Sequence, residues 1–148
     1  MKAPGRRLRA FTLIETMIVV AIVATLATIA VPGYATYVQR SRILEASARL
    51  SDAAVRMHEH FLDERTFVDA SGGCAIAPPA SAAADAFALT CAATGATFVY
   101  TATGRADKGM SAFAYAIDET GARTTISVPS DWVRSADCWT MRADGTCA

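Results

Sequence analysis

The run from Phe11 to Val31 is apolar apart from one carboxylate, Glu15, and nothing else in the chain restricts its fold so strongly. Its 21 residues match the roughly 20 that a helix needs to cross the hydrocarbon of a bilayer, so the run predicts a membrane-spanning helix. Lys2, Arg6, Arg7 and Arg9 crowd the ten residues before it. Basic flanks stay cytoplasmic and nothing comparable follows within a few residues, which puts the N-terminus inside and the body outside the cytoplasm. Glu15 then sits in the membrane near the helix start. An acidic residue at a helix centre costs roughly 2.5 to 3.5 kcal/mol, and less near an end, so Glu15 calls for a partner or a path to the headgroups.

A secretory signal has a short apolar stretch and a small-residue cleavage site after it. Here the stretch is long enough to span and no small-x-small site follows near Pro32. The cut that remains precedes the run. Arg9-Ala10-Phe11-Thr12-Leu13-Ile14-Glu15 resembles the class III leader of prepilins, whose peptidase cuts just before Phe and methylates the new amine. The resemblance implies loss of residues 1–10 to a prepilin peptidase and methyltransferase, and a mature chain that begins at N-methylated Phe11. Ala10 departs from the Gly of the family, which implies slower cleavage. The resemblance also gives Glu15 a partner. The new α-amine, with a reference pKa of about 7.7 to 8.0, is largely cationic. In the family the corresponding Glu neutralises the amine of the adjacent subunit as it enters the filament, which offsets the cost of burying both charges. An intrachain pair with no part in assembly is the plainer alternative.

The precursor carries 14 basic and 14 acidic residues, and removal of the leader leaves ten against fourteen. A mildly acidic body argues against a dominant nonspecific grip on nucleic acid. Four cysteines, Cys74, Cys91, Cys138 and Cys147, suit an extracytoplasmic compartment where disulfides persist. Their spacings of 17, 47 and 9 residues include no Cys-x-x-Cys pair, so zinc is not expected. Three pairings are open. Locality favours Cys74 with Cys91 and Cys138 with Cys147, each closing a loop short of hydrophobic anchors.

Pro32-Gly33 predicts a kink near residues 28 to 33, because proline removes a backbone donor and glycine adds freedom. Tyr34 and Tyr37 follow at the junction, with rings suited to an interface. Beyond them Ile43, Ser47, Leu50, Ala54, Met57 and Phe61 recur at spacings of four and three, as one helix face requires. Arg42, Glu45, Arg49, Asp52, Arg56, Glu59 and Asp63 form a charged face directed to water or to neighbouring subunits. Residues 69–85, rich in Ala, Ser, Gly and Pro, read as a surface loop. Strand patterns follow at 87–91, 97–103, 112–118 and 123–128, the last two as a hairpin. The expected organisation is a leader (1–10), a long N-terminal helix (11–66, with 11–31 for membrane and assembly and 34–66 amphipathic) and a disulfide-stabilised head (67–148). The fold class is α+β: a long helix packed on an antiparallel sheet of three to four strands, forming a roll.

This architecture resembles the type IV pilins. Tyr34-Ala35-Thr36-Tyr37-Val38, Ser41-Arg42-Ile43 and Cys138-Trp139 with Cys147 are similar to PilE-type pilins. The resemblance implies a major or minor pilin of an extracellular type IV pilus that serves motility, adhesion or DNA uptake. It also implies other pilin subunits and an inner-membrane assembly platform as partners, and no cofactor. Catalysis is not expected. His58 and His60 point about 200° apart on a helix and cannot readily ligate one metal, and no phosphate loop or nucleophile elbow appears. Two rivals stay open. One is a calcium-stabilised pseudopilin of a type II secretion system, suggested by Asp131, Asp137 and Asp144, which lack a recognisable loop spacing. The other is a DNA-binding competence pilin, in which Lys108, Arg123, Arg134 and Arg142 with Trp132 and Trp139 would make a basic, aromatic surface; it is possible but not favoured.

Overall fold

The computed structural model describes residues 11–147, apart from the side chains of Ile29, Val31 and Pro32. The leader, with Ala10, lies outside them. The chain orders as helix α1 (Leu13–Glu64) and strands β1 (Phe87–Ala93), β2 (Phe98–Gly104), β3 (Ala114–Asp118) and β4 (Arg123–Ser127), with a 3-10 turn at Ala106–Lys108 between β2 and β3. It divides into two compact units, one up to Tyr37 and one from Val38 onward. Among its described residues the first is helix from Leu13 onward. No single helix among the described residues is long and apolar enough to cross a membrane, but Leu13–Thr28 and Gly33–Glu64 meet that test as a bent pair.

The second unit is the head, a four-stranded antiparallel meander in the order β1-β2-β3-β4 with one helix face laid on it. Tyr100 pairs with Cys91 on one side and with Ile117 on the other. That register brings Phe98, Tyr100 and Ala102 to the helix side together with Tyr115 and Ile117. The helix contributes Ile43, Ala46, Leu50, Ala53, Ala54 and Met57, all buried. Ala46 and Ala53 extend one edge of this face while Ser47 and Phe61 are only half-buried, so the face is rotated from the one the large residues predict. Beside these small side chains, Phe87, Phe98 and Phe113 supply much of the volume of the same core.

Two arginines of the expected water-facing stripe reach partners outside the helix. Arg42 Nη1 donates to the Lys108 carbonyl at 2.6 Å, and Arg49 pairs with Asp85 at 3.0 Å. The second contact, with Arg105 Nη1 donating to the Ala82 carbonyl, ties down the end of the 69–85 loop. Two turns use the same device. Asp69 and Asp118 each accept from the N–H and hydroxyl of the residue two ahead, Ser71 or Thr120, and from the N–H four ahead. Between them Gly72 and Gly121 take φ of +82° and +79°, which a side chain would resist. These hydrogen bonds, the hydroxyl first, hold both carboxyls below their usual range.

The C-terminal segment closes the core. Trp139 is buried and its Nε1 donates to the Ala116 carbonyl, while the Tyr115 hydroxyl donates to the Thr140 carbonyl. Thr125 and Thr140, both fully buried, bind each other and the backbone: Thr125 Oγ1 donates to the Cys138 carbonyl and accepts from the Thr140 N–H. Disulfides join Cys74 to Cys91 and Cys138 to Cys147, with Cα separations of 6.2 and 5.9 Å.

Burial pushes the Tyr100 hydroxyl up to about 12 and that of Tyr115 higher still. Both donate to carbonyls, so ionisation would break a bond as well as charge the core. The folded pKa lies above the unfolded one. The resulting stability is therefore complete below a pH of about 10 and is lost as the pH rises through the folded values. Urea unfolding of the full chain in detergent is expected to show stability falling above pH 10, and a Tyr100→Phe, Tyr115→Phe double variant should flatten that fall.

Candidate assembly surface

Thr12 precedes the first helical residue, and its Oγ1 accepts the Glu15 N–H at 3.3 Å. Its carbonyl takes the Thr16 N–H at 3.2 Å. Thr12-Leu13-Ile14-Glu15 thus has the S/T-x-x-E form of a capping box, a start signal that hydrophobicity alone conceals. It sets Glu15 in the first turn, where the helix dipole favours a negative charge. The carboxylate is exposed, and among the described residues no cation pairs with it.

Around Glu15 the apolar side chains are uncovered. Ten large ones from Phe11 to Leu26 are at least half exposed, reaching 80 % at Leu13. Leu13, Thr16, Met17, Val20, Ala21 and Ala24 line an open groove along one helix face. Thr16, Thr25 and Thr28 donate their hydroxyls back to carbonyls three or four residues earlier, which removes their polar demand from the surface. A helix left apolar on every side is built to be covered, by lipid or by other helices. Tyr34 and Tyr37 are also exposed.

On the head the other candidate residues disperse. His58 places Nδ1 2.8 Å from the Ala54 carbonyl and Nε2 2.9 Å from that of Glu119, whereas His60 Nδ1 faces the Thr66 carbonyl. Asp144 accepts from the hydroxyl and N–H of Thr146, which keep its carboxyl low, and the Asp137 N–H donates to Ser135 Oγ. Among the described residues no three His, Cys, Asp or Glu side chains stand where they would hold a metal ion.

The basic and aromatic residues do not make one platform either. Trp139 is core, with the Arg123 guanidinium 4.9 Å from its ring centre, and Trp132 packs half-buried, edge to face, on Phe113. Arg134 Nη1 donates to the Ile126 carbonyl. Thr125 and Thr140, which anchor the C-terminal segment, carried no signal, because a threonine looks the same in sequence whether its hydroxyl meets water or a buried polar group.

Residues 5–31 match the family model of the "Prokaryotic N-terminal methylation motif". Residues 32–114 match the model described as "Type IV minor pilin ComP, DNA uptake sequence receptor". The chain is 34 % identical to the type IV major pilin protein PilE1 of Neisseria gonorrhoeae over 73 residues, 49 % of this chain and 44 % of that protein. It is 44 % identical to the type IV major fimbrial protein FimA of Dichelobacter nodosus over 55 residues, 37 % of this chain and 34 % of that protein. These matches span less than half the length of the relatives. The solved structure of the Neisseria meningitidis non-core minor pilin PilV has a TM-score of 0.51 at 14 % identity, over 64 % of this chain and 93 % of that one, and so shows the fold. Since more than half of its residues lie within the minor-pilin model, the chain belongs to the ComP family of type IV minor pilins.

Proposed function

We propose that this chain is a structural subunit of a type IV pilus. It is held in the inner membrane as a precursor, cut between Ala10 and Phe11 by a prepilin peptidase, and methylated on Phe11. An assembly platform then draws it into an extracellular filament, where Phe11–Val31 packs among the same segments of other pilin subunits. The observation that carries this reading is the sheath of exposed apolar side chains around Glu15, in residues that match the methylation motif. Water does not tolerate such a surface, and a bilayer and a helix bundle are the two places that cover it. Pro32 and Gly33 supply a kink where the membrane part gives way to the amphipathic part, and the two disulfides hold the head. Shearing cells and probing both fractions tests the reading. The chain is expected in the filament fraction, and its confinement to the membrane pellet would contradict it.

A second role, as a receptor for DNA, has one observation in its favour, the description of the family model over residues 32–114. Lys108 falls in that range, whereas Arg123, Arg134 and Arg142 lie beyond it. With Trp139 buried and Trp132 half-buried, contact would rest on cations and phosphates rather than on stacking. Binding of duplex DNA by the purified chain would then fall about 10-fold or more for a fourfold rise in salt, and a salt-independent or absent interaction would remove this role.

A further inference from the structure

Four of the ten Lys and Arg between Val38 and Cys147 stand at one end of the head. Arg40 and Arg42 open its part of α1, both half-buried, on either flank of the face that carries Ile43 and Ala46. The Arg42 bond to the Lys108 carbonyl fixes the 3-10 turn Ala106–Lys108 at this end. Arg105 comes with that turn, holding Asp107 through Nε and Nη2, each at 3.0 Å, and Lys108 Nζ stands 3.9 Å from the same carboxylate. Arg105 and Lys108 thus share one carboxylate, with Arg42 held to the same turn and Arg40 two residues before it on α1. Elsewhere between Val38 and Cys147, six Lys and Arg are set against twelve Asp and Glu. The far end of α1 carries Glu59, Asp63 and Glu64 against Arg65 just beyond it, negative charge that adds to the negative end of the helix dipole. The head is an electrical dipole.

We propose that the basic end, Arg40, Arg42, Arg105 and Lys108, docks on anionic phospholipid headgroups while the chain is held in the membrane; this rests on the membrane-held reading above. Charge complementarity and position name the occupant. Arg40 and Arg42 follow Val31 by nine and eleven residues. Tyr34 and Tyr37, 70 % and 72 % exposed, fill the interval as an interfacial aromatic belt would. Attraction of lysine and arginine to an anionic surface reaches about a Debye length, roughly 8 Å at physiological salt. The same surface repels the acidic remainder, so the head is held basic end toward the lipid until it leaves for the filament. DNA or the acidic end of a second head offers similar charge, and vesicle composition separates these from lipid.

The test uses the full chain in vesicles, with a nitroxide on Ala106→Cys, an exposed position in the 3-10 turn. Collisions with nickel chelated at headgroup level are measured in phosphatidylcholine alone and with about one-third phosphatidylglycerol. The expected result is a rise of about threefold with phosphatidylglycerol, reversed by about 0.5 M salt. Lys108→Glu and Arg40→Gln, which leave the Lys108 carbonyl in place, should each reduce the rise. A label on Ala122→Cys should not respond. Ala122 lies in the β3–β4 turn that meets α1 at His58, sixteen residues (roughly 24 Å of helix) beyond Arg42. Equal collision in the two vesicles, with the chain floating with both, would overturn the proposal alone. Failure to float with either would remove the membrane-held reading with it.

Discussion

Replacing Gly104 by alanine is expected to destabilise the head by about 3 kcal/mol, among the larger effects a single methyl group can have. Gly104 ends β2 and its N–H donates to the Phe113 carbonyl at 2.8 Å, so the strand is pinned against the connection to β3. A Cβ there would press into the Met110 carbonyl, with the carbonyl carbon only 2.6 Å away. The obstacle is backbone, and the Met110 side chain is itself buried, so no side-chain rotation relieves it. Gly95→Ala is the control, because its Cβ would meet nothing closer than Thr66 Oγ1 at 3.8 Å. Urea unfolding of the full chain in detergent should show a large loss for Gly104→Ala and little change for Gly95→Ala. Equal stabilities would mean that the β2–β3 connection is loose enough to admit the methyl group.

Glu15→Ala is expected to leave cleavage intact and to lower recovery in sheared filaments by about tenfold or more. The bound amine of a neighbouring Phe11 would otherwise be buried without its counter-charge, at roughly 3 to 5 kcal/mol. Glu15 also lies in the first turn beside the Thr12 cap, so its loss touches the helix start as well. Thr12→Val separates the two effects: it removes the cap and keeps the carboxylate, at about 1 kcal/mol. Normal incorporation of Thr12→Val with poor incorporation of Glu15→Ala would assign the effect to the charge. Unchanged incorporation of Glu15→Ala would remove its assembly role.

The parts of the fold that follow from periodicity were legible. Alternation located all four strands to within a few residues, and the heptad-like spacing from Ile43 to Met57 found the helix that covers them. The rotation of the buried face onto Ala46 and Ala53 was hidden, because alanine serves equally well on a wet face and on a close contact. So were the long-range polar anchors. Arg42 and Arg49 read as surface charge, yet each crosses to a loop distant in sequence, and which loop is a property of the finished topology. The buried threonine pair belongs to the same class. Of the candidate sites, the Phe11–Glu15 segment stands out in the sequence because a charge in an apolar run is rare and needs a reason. The basic end of the head does not, since Arg105 and Lys108 join Arg40 and Arg42 only through the turn after β2.

Whether this chain is a processed filament subunit is decided by its intact mass from sheared surface filaments, measured with and without reduction. The expected result is a chain that begins at N-methylated Phe11 and gains four hydrogens on reduction, which reports cleavage, methylation and both disulfides together. Full-length chain in membranes, with none in filaments, would mean that Ala10 blocks processing and would contradict it.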